Sequence, residues 1–251
     1  KLKYNRIQAM IEMIERNHSV TNKQLCQTFN ISLQTLRRDL SYLSEKGLIS
    51  KVYGGVVYTS NLVVNSAIPS LDDRMLKSEK EKLYIGELAA SMIKENDVIF
   101  LDSGTTAYRI TPYLLNFQRL TVITHSLYVI NALADQVNIK LISLGGQLNT
   151  ETKSFQPTNI DIPYVFDKSF ISTVGIDDKG CTNTDINEGK IKRMVIDNSN
   201  HVYIVVDHTK FEQQGFNRFT DYKPIEVIIT DQAPPTHFKD LYQELKIKVM
   251  Y

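Results

Sequence analysis

Residues 31–40 read Ile31-Ser32-Leu33-Gln34-Thr35-Leu36-Arg37-Arg38-Asp39-Leu40, and the spacing within this stretch decides what the N-terminal part of the chain is. At 100° per residue, Leu36, Leu40 and the following Leu43 fall on one side of a helix, and Gln34, Arg37, Arg38 and Ser41 fall on the other. Ser32 stands where an N-cap hydroxyl is needed, Ile31 where a hydrophobic staple reaches Leu36, and Gly47 just past the end as a left-handed cap. A helix over Leu33–Glu45 is predicted. Its polar face, to which Thr35 adds a hydroxyl, carries the groups that read base edges in a major groove or hold phosphate. A merely solvated face looks the same in isolation, so the flanking sequence decides.

Upstream, Ile7, Met10, Ile11 and Ile14 follow the i, i+3, i+4, i+7 pattern of an amphipathic helix over residues 4–16. Thr21 followed three residues later by Gln24 forms a capping box for a short second helix carrying Leu25 and Phe29. Downstream, Leu48 to Val52 reads as a strand bearing Lys51, Tyr53-Gly54-Gly55 as a turn, and Val56 to Tyr58 as the return strand. Three helices and a hairpin over residues 1–59 are a winged helix-turn-helix, with Gln34, Thr35, Arg37, Arg38, Ser41, Lys51, Tyr53 and Gly54 as the candidate DNA contacts.

Charge supports this reading. Residues 1–60 hold nine basic against four acidic residues, while residues 61–251 hold 20 against 24, so the net +1 of the chain conceals a basic head on a mildly acidic body. The 251 residues are 42% hydrophobic and 23% charged, which excludes disordered and fibrous classes. No apolar run approaches the ~20 residues of a membrane span, and no signal-peptide core follows Lys1, so a cytoplasmic protein is expected. Cys26 and Cys181 lie far apart with neither a Cys-x-x-Cys nor a histidine cluster, so neither a disulfide framework nor a metal site is expected.

Residues 60–71 carry few charges and no helical period and read as a linker, with Leu62, Val63 and Val64 apolar for a free tether. From residue 72 onward, helical patterns alternate with short β-rich runs: helix 80–94 and strand 98–101, helix 106–115 and strand 120–124, helix 126–134 and strand 140–144. Less regular repeats follow to residue 251: strands at 169–173, 201–206, 227–230 and 247–251, helices near 187–198 and 235–245. This predicts an α/β domain over residues 72–251 with a mostly parallel, doubly wound sheet. Such sheets bind ligands beyond the carboxyl ends of their strands. The loops there are Asp102-Ser103-Gly104-Thr105-Thr106, Thr124-His125-Ser126, Gly145-Gly146 and Asp207-His208-Thr209-Lys210. Hydroxyls, flexible N–H groups and one cation favour a phosphate. Taken singly, Ser103 and Thr106 could cap a helix, Gly145-Gly146 reads as a tight turn, and His125 as a surface imidazole.

The stretch Ile31 to Leu40, followed by Gly47-Leu48-Ile49 and Gly54-Gly55, resembles the signature of the DeoR family of bacterial transcriptional regulators, with Tyr53 where the family pattern usually has His. The resemblance continues through Asp102 to Thr106, Gly145-Gly146, Asp167 with Phe170, Gly175, Gly180 and Lys210-Phe211; at Phe155-Gln156-Pro157 the chain departs from a pattern that commonly carries Gly near Gln156. It implies a sensor domain related to ribose-5-phosphate isomerase and glucosamine-6-phosphate deaminase, a phosphorylated sugar as effector, and control of carbohydrate-use genes. The expected protein is a DNA-binding repressor without a cofactor, a homo-oligomer placing two or more heads on one operator. Its expected effector residues are Asp102, Ser103, Gly104, Thr105, Thr106, Thr124, Ser126, Gly145, Gly146 and Lys210.

Two other readings compete: a sugar-phosphate isomerase-like enzyme with a fused DNA-binding head, and an architectural DNA binder without effector. For the first, Asp102, Asp167, Asp185, Glu188 and His125 supply acid–base types. The isomerase-like Asp-Gly-Ala-Asp-Glu run is replaced by Asp167-Lys168-Ser169-Phe170-Ile171, so no catalytic residue is expected.

Overall fold

The computed structural model describes residues 2–17, 19–45, 49–52, 54–58, 62–63, 71–157 and 163–251. Contacts divide the chain into two units, Lys1–Val64 and Asn65–Tyr251.

In the first unit, α1 (Leu2–Asn17), β1 (Ser19–Thr21), α2 (Asn22–Phe29), α3 (Leu33–Glu45), β2 (Ile49–Val52), β3 (Gly55–Tyr58) and the two-residue β4 (Leu62–Val63) follow one another. The capping box forms as expected: Gln24 N–H donates to Thr21 Oγ1 at 3.2 Å and Thr21 N–H to Gln24 Oε1 at 2.9 Å. Ser32 caps α3 by accepting from Thr35 N–H at 3.2 Å. Leu36, Leu40 and Leu43 are buried together with Met10, Ile14, Val20, Leu25, Ile49 and Val56, and Ile31 packs against this core. The sheet is antiparallel in the order β1-β3-β2, so the wing hairpin gains a third strand from three residues too few to show a period. The expected cap Gly47, the wing residues Leu48 and Tyr53, and most of the expected linker lie outside the described residues.

The second unit begins with α4 (Leu71–Leu76) and α5 (Glu79–Ala90), then β5 (Val98–Leu101), α6 (Thr105–Tyr108), α7 (Thr111–Leu114), β6 (Leu120–Thr124), α8 (Leu127–Leu133) and β7 (Ile139–Ser143). A hairpin of β8 (Gln147–Asn149) and β9 (Ser154–Gln156) precedes β10 (Phe166–Ser172), β11 (Gly175–Asp177), β12 (Gly180–Asn183), α9 (Ile186–Asp197) and β13 (Ser199–Val205). The chain ends with β14 (Gln214–Gly215), β15 (Asn217–Thr220), β16 (Val227–Ile229), α10 (Thr236–Glu244) and β17 (Lys248–Met250).

Seven strands form one parallel sheet in the order β17-β16-β13-β10-β5-β6-β7. The chain starts in the middle at β5, winds outward to β7, then returns to β10 and winds the other way. This is the doubly wound arrangement, and its switch point lies between β5 and β10. Successive residues pack on opposite faces: Phe100, Ile171, Ile204 and Ile228 in one core, Ile99, Leu101, Phe170, Val205 and Ile229 in the other. Burial on both faces is why these strands read as continuous apolar runs.

Two departures have local causes. The helix expected over residues 106–115 is split into α6 and α7, because Pro112 sits at the start of α7, where its ring would clash within a continuous helix. A small antiparallel sheet, β11-β12-β15, is added beside the parallel one, built from Gly- and Thr-containing segments without clean alternation.

Candidate functional site

On α3 the polar face is free of internal commitments where it matters most. Gln34, Arg37 and Arg38 are exposed, and with Ser41 and Tyr42 they line a shallow surface depression. Ser41 is less available: its hydroxyl donates to Arg37 O at 2.8 Å and accepts from Lys51 Nζ at 2.8 Å, so it positions the wing lysine against the helix. Thr35 is similarly engaged with Ser32, Oγ to Oγ at 3.0 Å. Asp39 is 1% exposed and accepts from Arg6 Nε at 2.9 Å and the guanidinium terminus at 2.7 Å, an ion pair fixing α3 to α1. Gly54 has φ +81° with open space around it, the turn geometry expected of the wing tip.

In the second unit, side chains from the carboxyl ends of β5, β6 and β10, from β9 and from α9 meet at the switch point. Asp102 follows β5 and is fully buried. Its Oδ2 accepts from Ser172 N–H at 3.1 Å, from Ser172 Oγ, and from Lys192 Nζ at 2.6 Å, and Lys192 also donates to Ser172 O at 2.7 Å. One turn earlier on α9, Glu188 accepts from Ser103 Oγ at 2.8 Å and from Ser154 Oγ, and faces His125 Nε2 at 3.2 Å. Burial raises the Glu188 carboxyl, but His125, Lys192 and Ser154 outweigh it and hold the group at about 2. Asp102 Oδ1 and His125 Nδ1 are buried without a hydrogen-bond partner among the described residues. An unpaired acceptor and an unpaired ring nitrogen are what a hydroxyl-bearing ligand would meet.

Asp102, His125 and Glu188 bring one ligand-type atom each within 4.8 Å of one another, a spacing compatible with a metal ion. Lys192 and three serine hydroxyls already compensate the two carboxylates, so the cluster fits a hydrogen-bonded polar site better than a cation cage.

Several of the expected effector residues are engaged within the protein. Thr124 Oγ1 donates to Leu101 O at 2.7 Å and accepts from Ser126 N–H at 3.1 Å, and Ser126 caps α8; both hydroxyls are spent on the scaffold. Gly145 and Gly146 turn the chain from β7 into the β8–β9 hairpin with φ +63° and +106°, and a Cβ on Gly146 would collide with Gln156 backbone. Gly104 is glycine because a Cβ there would strike Ser172 Oγ; close packing on β10 requires it, not only backbone approach by a ligand. Thr105 and Thr106 are buried in the first turn of α6, a helix of four residues whose dipole is correspondingly small. Ser103 does not cap that helix and instead holds Glu188. His125 is not a surface imidazole: it is fully buried and stacked 5.6 Å from Phe100.

Among the acid–base types, Asp102, His125 and Glu188 converge, whereas Asp167 accepts from Val98 N–H at 2.7 Å near the opposite end of β10, and Asp185 caps α9 through Glu188 N–H at 2.8 Å. Glu188 as an organiser of the cluster, Ser154 as its partner, and Lys192 and Ser172 as partners of Asp102 have no counterpart in the sequence reading. One signal was present: Glu188 and Lys192 are opposite charges at i, i+4 on the same helix face as Ile191 and Val195, a pairing that a buried face requires.

A winged helix-turn-helix with an outward basic face, followed by a doubly wound domain with a buried polar site at its switch point, defines a ligand-responsive DNA-binding regulator. Residues 6–61 match the DeoR-like helix-turn-helix domain and residues 77–232 the DeoR C terminal sensor domain. The chain belongs to the DeoR family of transcriptional regulators. It is 34% identical to the HTH-type transcriptional regulator IolR of Bacillus subtilis over 99% of both chains, and 30% identical to the HTH-type transcriptional repressor GlcR of the same species over 98% of this chain and 95% of that one. It is 31% identical to the Glycerol-3-phosphate regulon repressor of Escherichia coli over 90% of each. Among solved structures it is similar to ribose 5-phosphate isomerase A of Methanocaldococcus jannaschii, at 19% identity over 54% of this chain and 55% of that one, with a TM-score of 0.41. No helix among the described residues is long and apolar enough to cross a membrane.

Proposed function

We propose that the protein is a cytoplasmic repressor of carbohydrate-utilisation genes, a homo-oligomer whose operator binding is controlled by a phosphorylated sugar held at the switch point of its α/β unit. The observation that carries the effector is the buried cluster of Asp102, Ser103, His125 and Glu188, which combines satisfied charges with two unpaired polar atoms. Native folds leave few buried polar atoms unpaired, and two in one cluster are what the hydroxyls of a polyol can satisfy. Lys210 ends the turn after β13, at the carboxyl edge of the sheet that also carries the 103–106 loop, and is the cation assigned to the phosphate. Relatives named for a glycerol-3-phosphate regulon and for a lactose phosphotransferase system support a phosphorylated small molecule.

The effector must bind the DNA-competent and DNA-incompetent arrangements with different affinities. The test is a thermal-shift panel of phosphorylated hexoses, pentoses and their ketose isomers on the full chain. One member should stabilise the fold, by about 2.7 kcal/mol at a hundred times its Kd, and change affinity for the operator. Its unphosphorylated parent should do neither. A panel without any shift would leave an architectural DNA binder as the reading.

A further inference from the structure

Helix α3 presents its outward residues in lines with a four-residue step. Gln34, Arg38 and Tyr42 make one line and Arg37 and Ser41 the next, and these five side chains line the shallow depression on the helix surface. The second line is polar throughout: Ser41 Oγ accepts from Lys51 Nζ at 2.8 Å, which adds the wing ammonium to the charge of Arg37. The first line ends in an aromatic ring. Tyr42 is 46% exposed, and Leu33 and Val52, the other large apolar side chains exposed among the described residues of this unit, take no part in the depression.

The helix fixes where that ring stands. Leu40 and Leu43 hold the neighbouring backbone against the core, and the ion pair of Asp39 with Arg6 at 2.7 Å anchors the turn before it. Side chains on a helix lean toward its N-terminus, so the ring of Tyr42 covers the surface next to Arg38 rather than the helix end. With two side-chain torsions, a tyrosine gives a large contact area at a small cost in entropy. The face is therefore asymmetric, charged along Arg37 and Lys51 and apolar at Tyr42. Base edges in the major groove offer hydrogen-bonding atoms and one apolar substituent, the C5-methyl group of thymine.

We propose that Tyr42 is a specificity-determining residue of the DNA interface, its ring packing on the C5-methyl group of a thymine in the operator, beside the position reached by Arg38. The proposal rests on the placing of α3 in the major groove and adds to it a residue that selects sequence without a hydrogen bond. A base pair lacking the methyl group leaves apolar area of the ring in water, and that difference is the discrimination.

The experiment starts from duplexes selected out of a random double-stranded library by the wild-type full chain. Each thymine of the selected site is exchanged in turn for deoxyuridine, which removes the methyl group and keeps every hydrogen-bonding atom. Affinities of wild type, Tyr42→Phe and Tyr42→Ala are read by fluorescence anisotropy, with Arg37→Ala and Arg38→Ala as references. One exchange should weaken wild type and Tyr42→Phe about fourfold per methyl group removed and leave Tyr42→Ala unaffected. On the parent duplex, Tyr42→Ala should bind at least as weakly as wild type binds the exchanged one. Should Tyr42→Ala lose helix content by circular dichroism, Tyr42→Gln takes its place. Equal sensitivity of wild type and Tyr42→Ala to every exchange overturns the proposal. So does a Tyr42→Phe as weak as Tyr42→Ala on the parent duplex, which assigns the effect to the hydroxyl. In either case, weakened binding by an arginine variant keeps α3 in the major groove; wild-type binding by both arginine variants removes that placing together with the proposal.

Discussion

Arg37, Arg38 and Asp39 are neighbours in sequence with opposite fates. The 100° step of α3 sends both guanidinium groups outward and turns Asp39 inward to Arg6, so the same helix carries its DNA-facing charge and the anchor that fixes its angle. Among the described residues Arg37 and Arg38 spend no side-chain hydrogen bond inside the protein, which leaves them for base edges or phosphates. Arg37→Ala and Arg38→Ala should each weaken operator binding. The arginine that reads a base should cost about 1–3 kcal/mol and relax specificity, and one that holds phosphate should lower the salt slope by about 1. Electrophoretic titrations at several salt concentrations measure both. Unchanged affinity in both variants, with helix content preserved, would remove α3 from the major groove.

Helix α9 is aimed by three of its own polar residues. Asp185 caps its start, Glu188 ties its first turn to the loops carrying Ser103, His125 and Ser154, and Lys192 ties the next turn to Asp102 and β10. Glu188 is held at about 2 against an ordinary 4.5. Asp177 is also lowered, because its two bonds to Arg218 at 2.6 and 2.8 Å outweigh burial. With folded values depressed, the unfolded chain takes up protons first. The stability these groups confer is therefore fully present above about pH 4.5 and is lost as pH falls towards 2. Urea midpoints of the full chain should drop steeply between about pH 5 and about pH 2. Glu188→Gln should lower stability at neutral pH and make that drop shallower. An identical acid slope in wild type and variant would show that Glu188 is not ionised in the fold.

At the scale of the molecule, one head of about 60 residues offers a small footprint for an operator in a genome, and specificity requires two heads on one site. We expect at least a dimer at micromolar concentration by light scattering. Footprints should cover repeated half-sites near one helical turn, ~10 base pairs, or a multiple of it. A monomer protecting one isolated half-site would contradict this.

Legible in the sequence were the two-unit plan, the bounds of α3, β5 and β6, and the outward basic face, because each rests on local periodicity, capping and charge within a few residues. It also pointed to the carboxyl edge of the sheet, where buried polar side chains meet, since strand alternation implies parallel topology and topology implies that edge. Which polar side chains meet there is set by the folded chain. Glu188 and Lys192 lie some 85 to 90 positions from the Ser103 and Asp102 they meet, and no local pattern links them. Thr124 and Ser126 read as free hydroxyls in the sequence, while the fold bonds them to Leu101 and the start of α8, and Gly104, read as a flexible loop glycine, has Ser172 of β10 packed against it. A polar residue's role follows from whether its hydrogen bonds are already used, and that depends on partners brought from far along the chain by burial of the two apolar faces of the sheet.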